Sequence, residues 1–195
     1  MIIAFTGAGI SKASGIPTFE DQEELRNYLD RNYARENPNK FKEIISNLNE
    51  VCNKANPNDA HYALAEYNIP IITMNIDSLH IKAGSQHVLE VHGSLRNNDV
   101  VLYGDSAPLY QEAYDWIDRL NVNDELLIIG TSFYTNFSQE ILQAAKNHGC
   151  KRIIIKNDAE HLVRSAIESS KDKIEDFNSF IAREPHWISN LNIYF

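Results

Sequence analysis

Short apolar runs alternate with longer polar stretches along most of the chain. This alternation is typical of βαβ units and predicts a parallel sheet with helices packed on it. We predict strands over 2–5, 69–74, 88–91, 100–103, 126–130 and 152–156. We predict helices over 23–36, 40–55, 60–67, 107–120, 138–148 and 159–170. The expected fold class is therefore α/β, with a Rossmann-like parallel sheet and flanking helices.

The stretch from 20 to 58 differs from the rest because it contains no strand-like run, and it predicts a small helical module beside the sheet. A chain of 195 residues, 43% of them hydrophobic, can bury one good core, so residues 1–195 are expected to form a single domain. The tail from 179 to 195 is rich in aromatic residues, which favours docking onto the domain over a partner surface. These aromatic residues are Phe180, Trp187, Tyr194 and Phe195.

Charge and hydropathy exclude several classes of function. The formal net charge is −9, and Lys and Arg are scattered without a basic stripe, which argues against a nucleic-acid partner. No run approaches the roughly 20 apolar residues that span a bilayer, so no membrane segment is expected. Met1 leads directly into the first strand without a charged leader. We therefore expect a soluble, cytoplasmic protein.

The first strand leads into a glycine-rich turn. Gly7 and Gly9 allow the backbone to turn sharply and to approach a ligand without a Cβ clash. A helix beginning near Ser11 would direct free N–H groups and its positive dipole end at the same place, which makes an anion site. Lys12 stands where a dinucleotide fingerprint has its third glycine, so on these residues alone an ordinary turn is an equal alternative.

Further blocks follow in a fixed order. They are NPNDAH at 56–61, ITMNIDSLH at 72–80, AGS at 83–85 and VLEVHGSL at 88–95. Together with FTGAGISKASGIPTF at 5–19, they closely resemble the sirtuins, the NAD-dependent protein deacylases. The corresponding sirtuin patterns are GAGxSxxSGIPxF, TQNIDxLH and HGS. Several motifs in the right order multiply the specificity of each.

The resemblance implies NAD as cofactor, bound where the carboxyl ends of the strands meet. An ionised Asp77 would accept a hydrogen bond from the nicotinamide carboxamide, and Asn75 would hold a water or a ribose hydroxyl. An Asn or Asp after a strand also often only caps a helix. The implied cofactor-binding residues are Gly7, Ala8, Gly9, Ile16, Phe19, Asn75, Ile76, Asp77, Gly130, Thr131, Ser132 and Asn157.

His92, in the block that resembles HGS, is implied to be the general base, with Asn75 beside it in the catalytic site. Imidazole titrates near neutrality and can take a proton from a ribose hydroxyl once the nicotinamide bond has opened. A lone histidine is usually structural or solvated, and the motif is what favours catalysis here. His61 and His80 fit packing or capping better.

The second half of the chain continues the resemblance. DVVLYGD at 99–105 resembles the sirtuin DVVxFGE strand and loop, which implies backbone contacts to an acyl-lysine protein or peptide. Residues 134–137 would form the other wall of that groove, with Phe137 replacing the family's proline. A buried strand followed by a turn is the plain alternative. The implied substrate-binding residues are Val101, Leu102, Tyr103 and Gly104.

Several positions depart from the family pattern. Sirtuins usually carry a zinc ribbon with two CxxC pairs, but here only 95–98 joins the two flanking blocks. Cys52 and Cys150 lie far apart, so we expect no metal site and two reduced, structural thiols. Glu20 replaces an arginine, and Met74 replaces the glutamine of TQN. A carboxylate near a dinucleotide's phosphates is unfavourable unless it points away.

Three functions remain open. The expectation ranked first is an NAD-dependent protein lysine deacylase (deacetylase). An NAD glycohydrolase or ADP-ribosyltransferase would need the same pocket and His92 but no peptide groove. A non-catalytic protein that binds NAD or ADP-ribose would keep the glycine turn and tolerate the loss of the arginine that Glu20 replaces. The feature that discriminates them is an open groove between 101–104 and 134–137.

Overall fold

A five-stranded parallel sheet forms the centre of the molecule. The computed structural model describes residues 1–18, 21–22 and 24–186. Within them the strand order is β3-β2-β1-β4-β5. The strands are β1 (Ile2–Thr6), β2 (Ile71–Thr73), β3 (Val88–Glu90), β4 (Glu125–Ile129) and β5 (Lys151–Ile155).

The helices lie between and around these strands. The α-helices are α1 (Glu24–Tyr28), α2 (Arg31–Glu36), α3 (Pro38–Lys54), α4 (Asp59–Glu66), α5 (Leu79–Lys82), α6 (Tyr110–Ile117), α7 (Asn136–Asn147), α8 (Ala159–Glu168) and α9 (Phe177–Ile181). Two 3-10 helices cover Ala8–Ser14 and Lys171–Lys173. Among the helices of the described ranges, none combines the length and apolarity that crossing a membrane requires.

The sheet is buried on both faces. Strand β1 is apolar at every position up to Thr6 because side chains alternate between two covered faces. Ile3 and Phe5 pack with a cluster that includes Trp116 from α6 and Ile141 from α7. The opposite face of β1 packs on α4 and α8 through a second apolar cluster. This double cover fixes the sheet and the loops at its carboxyl edge.

The strand order reverses between β1 and β4: from the central strand β1, the chain first adds β2 and β3 on one side and then β4 and β5 on the other. Thr6 is in register with Thr73 of β2 on one side and with Ile129 of β4 on the other. The carboxyl ends of three strands therefore meet at one point. In open α/β sheets this switch point is where ligands bind.

Five of the six predicted strands are confirmed to within two residues. The strand predicted at 100–103 is wrong: the only pairing there is an isolated bridge between Asp30 and Tyr103. The helix predicted at 23–36 is interrupted, because the Asp30 side chain accepts hydrogen bonds from the N–H groups of Asn32 and Tyr33 and starts α2. The sequence patterns did not predict α5, α9 or the 3-10 helix over Lys171–Lys173.

The prediction that the tail docks onto the domain is confirmed for Phe180. This residue is fully buried in the apolar cluster that α6 and α7 form on one face of the sheet. Trp187, Tyr194 and Phe195 lie outside the described residues. Helices α1, α2 and α3 occupy the segment that was predicted to be helical and strand-free.

Candidate active site

The glycine turn packs backbone against backbone with the turn after β4. The N–H of Gly9 donates to the carbonyl of Gly130 at 2.8 Å. A Cβ on Gly9 would lie 2.7 Å from the Cα of Gly130, and Gly130 itself has a φ of +62°. Small residues are therefore required on both turns for the loops to meet at the switch point.

The expected helix near Ser11 begins earlier and is of a different kind. It is a 3-10 helix over Ala8–Ser14, because the N–H of Ile10 already bonds back to the carbonyl of Gly7 at 3.1 Å. Ser11 consequently lies within the helix and is fully buried. Its hydroxyl points at the loop after β2 and takes part in the site described next. Sequence reasoning missed Ser11, although it stands in the family pattern GAGxS.

The buried Ser11 and Asn75 and the half-buried Asp77 form a hydrogen-bonded group. The Ser11 hydroxyl donates to Oδ2 of Asp77 at 2.7 Å. The side-chain amide of Asn75 donates to Ser11 at 3.1 Å and to Asp77 at 3.2 Å. Burial raises the pKa of Asp77, although its hydrogen bonds from Leu79, Ser11 and Asn75 act in the opposite direction. The carboxyl group is thus held in place from two loops.

Two neutral histidines lie behind this group. His61 accepts a hydrogen bond at Nδ1 from the N–H of Asn58 (3.3 Å), so its Nε2 carries the proton that faces Ser11 (3.4 Å). Burial lowers the pKa of His61 to about 4. His80 is also buried, contacts Thr6 at 3.0 Å and has a lowered pKa for the same reason. His61 completes the capping box of α4, which agrees with the capping expected from the sequence.

His92 follows β3 and has partners at both ring nitrogens. Its Nδ1 lies 3.1 Å from the carbonyl of Met74, and a carbonyl only accepts, so Nδ1 carries the proton. Nε2 then accepts from the Tyr110 hydroxyl at 2.8 Å. Burial lowers the pKa of His92, and the bond to Met74 opposes that effect. The ring is neutral at pH 7, with its lone pair at Nε2.

Tyr110 was missed by sequence reasoning because it belongs to no motif. It lies at the first position of α6, and its ring stacks on Phe137 with centroids 4.0 Å apart. The sequence feature that could have indicated this contact is Phe137, an aromatic residue in place of the family's proline, on whose ring Tyr110 stacks.

A tight turn connects His92 to the next segment, where sirtuins usually have a zinc ribbon. The N–H of Ser94 donates to the Asp99 carboxylate at 2.8 Å, and the N–H of Val101 donates to the carbonyl of His92 at 2.8 Å. A Cβ on Gly93 (φ +66°) would lie 2.1 Å from the Asp99 carbonyl oxygen, so only glycine fits. Over the described ranges, no three His, Cys, Asp or Glu side chains are grouped to hold a metal ion.

The two cysteines are buried and unpaired. Burial raises the pKa of Cys52 to about 12 and that of Cys150 to about 11. Both thiols are therefore protonated at neutral pH and unreactive, as expected for structural cysteines.

The segment 101–104 hydrogen-bonds to the helical segment around Leu29 and Arg31 and to the nearby Asp105 instead of joining the sheet as a strand. Tyr103 donates its N–H to the Leu29 carbonyl (2.9 Å) and accepts from the N–H of Arg31 (3.0 Å). Leu102 donates its N–H to the Asp105 carboxylate at 3.1 Å. These bonds run to separate segments and cannot form a regular ladder, which is why the strand prediction failed. An ion pair between Arg31 and Asp105 closes the contact.

The remaining predicted residues lie around the same edge of the sheet. Thr131 is buried after β4, whereas Ser132 and Asn157 are exposed at the ends of β4 and β5. Ala8, Ile16 and Ile76 are half-buried. On the far wall of the predicted groove, Tyr134 is exposed, with the Arg26 guanidinium 3.8 Å above its ring. Phe19 and Glu20 lie outside the described residues.

Comparison with known proteins identifies the family. The model of the Sir2 family matches residues 7–99. An NAD-dependent protein deacetylase of Saccharolobus solfataricus is 32% identical over 224 residues, which cover 88% of this chain and 90% of that protein. The chain belongs to the Sir2 (sirtuin) family. The sequence resemblance is thereby confirmed.

Other Sir2 relatives agree. An NAD-dependent protein deacylase 2 of Archaeoglobus fulgidus is 32% identical over 200 residues, which cover 78% of each chain. Among solved structures, a Sir2 homologue in complex with NAD superposes with a TM-score of 0.79 at 21% identity, over 89% of this chain and 90% of that one. This likeness confirms the α/β fold predicted from the alternation of apolar runs.

Proposed function

We propose that this Sir2-family chain is an NAD-dependent protein lysine deacylase. The observation that carries the proposal is the pairing of two facts. The chain matches an NAD-dependent protein deacetylase at 32% identity over nine-tenths of that protein. At the switch point of its sheet, it also brings the Ser11–Asn75–Asp77 group and His92 onto neighbouring loops.

The donors and acceptors at the switch point suit NAD. An ionised carboxylate offers roughly four acceptor positions, and Asp77 uses three of them for Ser11, Asn75 and the N–H of Leu79. One acceptor position remains for a carboxamide N–H. Both amide hydrogens of Asn75 are engaged, so its carbonyl oxygen is the atom that can accept from a sugar hydroxyl. Ser132 and Asn157 supply exposed polar groups at the ends of β4 and β5.

When bound, NAD supplies the ribose carbon that loses nicotinamide and takes up the acyl oxygen of the modified lysine. His92 holds and moves a proton at Nε2. Met74 fixes Nδ1 as the protonated nitrogen, so the neutral ring offers Nε2 to a substrate hydroxyl without a change of tautomer. Asn75 and Asp77 orient the substrate through hydrogen bonds, and the buried Ser11 keeps both side chains in position.

The proposal is tested by incubating the purified protein with NAD, with and without an acetyl-lysine peptide, and following nicotinamide release and peptide mass by mass spectrometry. We expect release that depends on the peptide and matches its deacetylation in amount. His92→Ala should abolish both signals. His87→Ala is the control, because His87 directly precedes β3 and so lies at the amino edge of the sheet, opposite the switch point. Deacetylation that persists in His92→Ala would refute the assigned role.

A second function, NAD hydrolysis or ADP-ribosyl transfer, is favoured by one observation. Tyr103 lies in the segment expected to contact a peptide backbone, but its N–H donates to Leu29 and its carbonyl accepts from Arg31. Neither group of Tyr103 is therefore free to pair with a peptide, and NAD hydrolysis or transfer to another acceptor does not need that pairing. In the same experiment, nicotinamide release without peptide would select this function. Binding of NAD with no turnover would leave only a role as an NAD-binding protein.

We also propose that the protein acts in the cytoplasm as one domain, with residues about 20–58 as a helical module beside the sheet. The two free, buried cysteines suit a reducing compartment. The hydrogen bonds of Tyr103 to Leu29 and Arg31 support a module that is attached to the sheet domain. Fractionation of cells that produce the protein tests the location, and we expect the protein in the cytoplasmic fraction. Limited proteolysis tests whether the module is attached to the sheet domain, and we expect residues 20–58 to resist cleavage.

A further inference from the structure

The lone pair of His92 is already occupied in this structure. With Nδ1 donating to Met74 (3.1 Å), Nε2 is the nitrogen available to take a proton, and the Tyr110 hydroxyl donates to it at 2.8 Å. A substrate hydroxyl needs the same nitrogen. Tyr110 therefore stands where a reacting hydroxyl has to come.

Tyr110 is held in this place by aromatic packing. Its ring lies nearly parallel to that of Phe137, with an interplanar angle of 17° and centroids 4.0 Å apart. Phe137 is only 2% exposed, and the Tyr114 ring packs edge-on against the Phe137 ring with centroids 5.5 Å apart. Burial also raises the pKa of Tyr110, so its hydroxyl keeps its proton and remains a donor. The contact with His92 is thus built into the packing of α6 on α7.

We propose that Tyr110 is a positioning residue whose hydroxyl holds Nε2 of His92 until a sugar hydroxyl of the substrate replaces it. The inference rests on the proposed function, since it assigns His92 as the base. The exchange is one donor hydroxyl for another, so His92 keeps its tautomer and its number of hydrogen bonds. Tyr110 is half-buried, and the displaced hydroxyl has water as its alternative partner.

The exchange has a kinetic signature. Each binding event breaks the bond between Tyr110 and His92, and this cost opposes binding without affecting the chemistry that follows. Tyr110→Phe keeps the stacked ring and removes the cost. We expect the KM for NAD to fall roughly threefold to tenfold, the size of one net hydrogen bond, with kcat unchanged.

Tyr114→Phe is the matched control. Tyr114 lies one turn further along α6 and also packs on Phe137, but its hydroxyl donates to the Glu140 carboxylate and not to His92. Tyr114→Phe therefore removes a hydroxyl from the same aromatic cluster and leaves the hydrogen bond between Tyr110 and His92 in place. We expect Tyr114→Phe to leave the KM for NAD and kcat as in the wild type.

A second measurement needs no turnover. In protein labelled with ¹⁵N-histidine, the Nε2 resonance of His92, assigned by its loss in His92→Ala, reports whether that nitrogen accepts a hydrogen bond. We expect it to move downfield, toward a free acceptor, in Tyr110→Phe and to stay unchanged in Tyr114→Phe. Calorimetric titration with NAD should give a lower Kd for Tyr110→Phe in the same ratio as the change in KM.

Three results would overturn the proposal. An Nε2 resonance that does not move in Tyr110→Phe means that the contact does not exist in solution. A large fall in kcat means that Tyr110 itself carries the proton and does not yield. Equal effects of the two tyrosine variants mean that only aromatic packing matters. If the wild type binds NAD without turnover, the deacylase proposal fails, while the resonance and the Kd still decide the role of Tyr110.

Discussion

The main-chain carbonyl of Tyr103 accepts a hydrogen bond from the N–H of Arg31 at 3.0 Å. This bond joins the helical segment to the loop that follows His92, and the side chains of Arg31 and Asp105 pair beside it. The loop that would contact a peptide is therefore closed by the chain's own backbone. A peptide can pair with Tyr103 only after this contact has opened.

Loosening that contact should favour peptide binding. Arg31→Gln removes the ion pair with Asp105, and we expect a lower KM for an acetyl-lysine peptide with little change in the urea midpoint, because exposed ion pairs stabilise weakly. Lys40→Gln, which removes the exposed pair with Glu43, is the control and should leave the KM unchanged. A KM that rises in Arg31→Gln would mean that the contact helps to form the peptide site.

The close packing of the two turns at the switch point predicts a large effect of Gly130→Ala. Gly130 has a φ of +62°, and its Cβ would lie 2.2 Å from the backbone nitrogen of Ile10. Gly84 also has a positive φ (+97°), but nothing lies within 4 Å of its Cβ position. Gly84→Ala should cost about 1–2 kcal/mol of backbone strain, and Gly130→Ala at least about 3 kcal/mol because the clash adds to it.

Urea unfolding of the two glycine variants measures the difference. Gly130→Ala should also lose NAD binding in calorimetric titration, since the turns at the switch point have to move apart. Equal destabilisation by the two substitutions would contradict the assigned close contact.

His61 predicts a loss of stability in acid. Its pKa falls from 6.5 in the unfolded chain to about 4 in the folded protein, so the unfolded state binds a proton first as the pH drops. The stabilising contribution is complete above pH 6.5 and is lost progressively down to about pH 4, amounting to up to about 3 kcal/mol. Urea unfolding of wild type and His61→Gln between pH 4 and 8 should give a steeper decline for the wild type. Parallel curves would contradict this account.

Much of the site could be predicted from the sequence because it is carried by local motifs. The strands before Gly7, Asn75 and His92 are short, apolar and followed directly by polar residues, so their placement at one sheet edge follows from a parallel sheet. The family resemblance then identified which of these polar residues to consider. Ser11 was within reach of the same reasoning, since it lies inside the first motif.

Contacts between distant segments could not be predicted. Tyr110 meets His92 only because α6 packs on α7 through Phe137, and Tyr110 belongs to no motif. The run at 100–103 is apolar enough for a strand, but its neighbours are Leu29 and Arg31 of the helical segment and not another strand. Tertiary partners decided both outcomes, and a single sequence does not state them.

The state of His92 predicts the pH dependence of the reaction. Burial lowers the pKa of the imidazole below its ordinary value of 6.5, so the neutral form that accepts a proton at Nε2 persists into weakly acidic solution. We expect kcat/KM for peptide-dependent nicotinamide release to be level near pH 7 and to fall only below pH 6.5, with one acidic limb. The rate profile of the wild type between pH 5 and 8 measures it, with NAD binding followed in parallel to separate unfolding from titration. The His92 resonance should titrate at the midpoint of that limb, and a midpoint above 6.5 in either measurement would mean that His92 is stabilised as a cation and does not act as a neutral base.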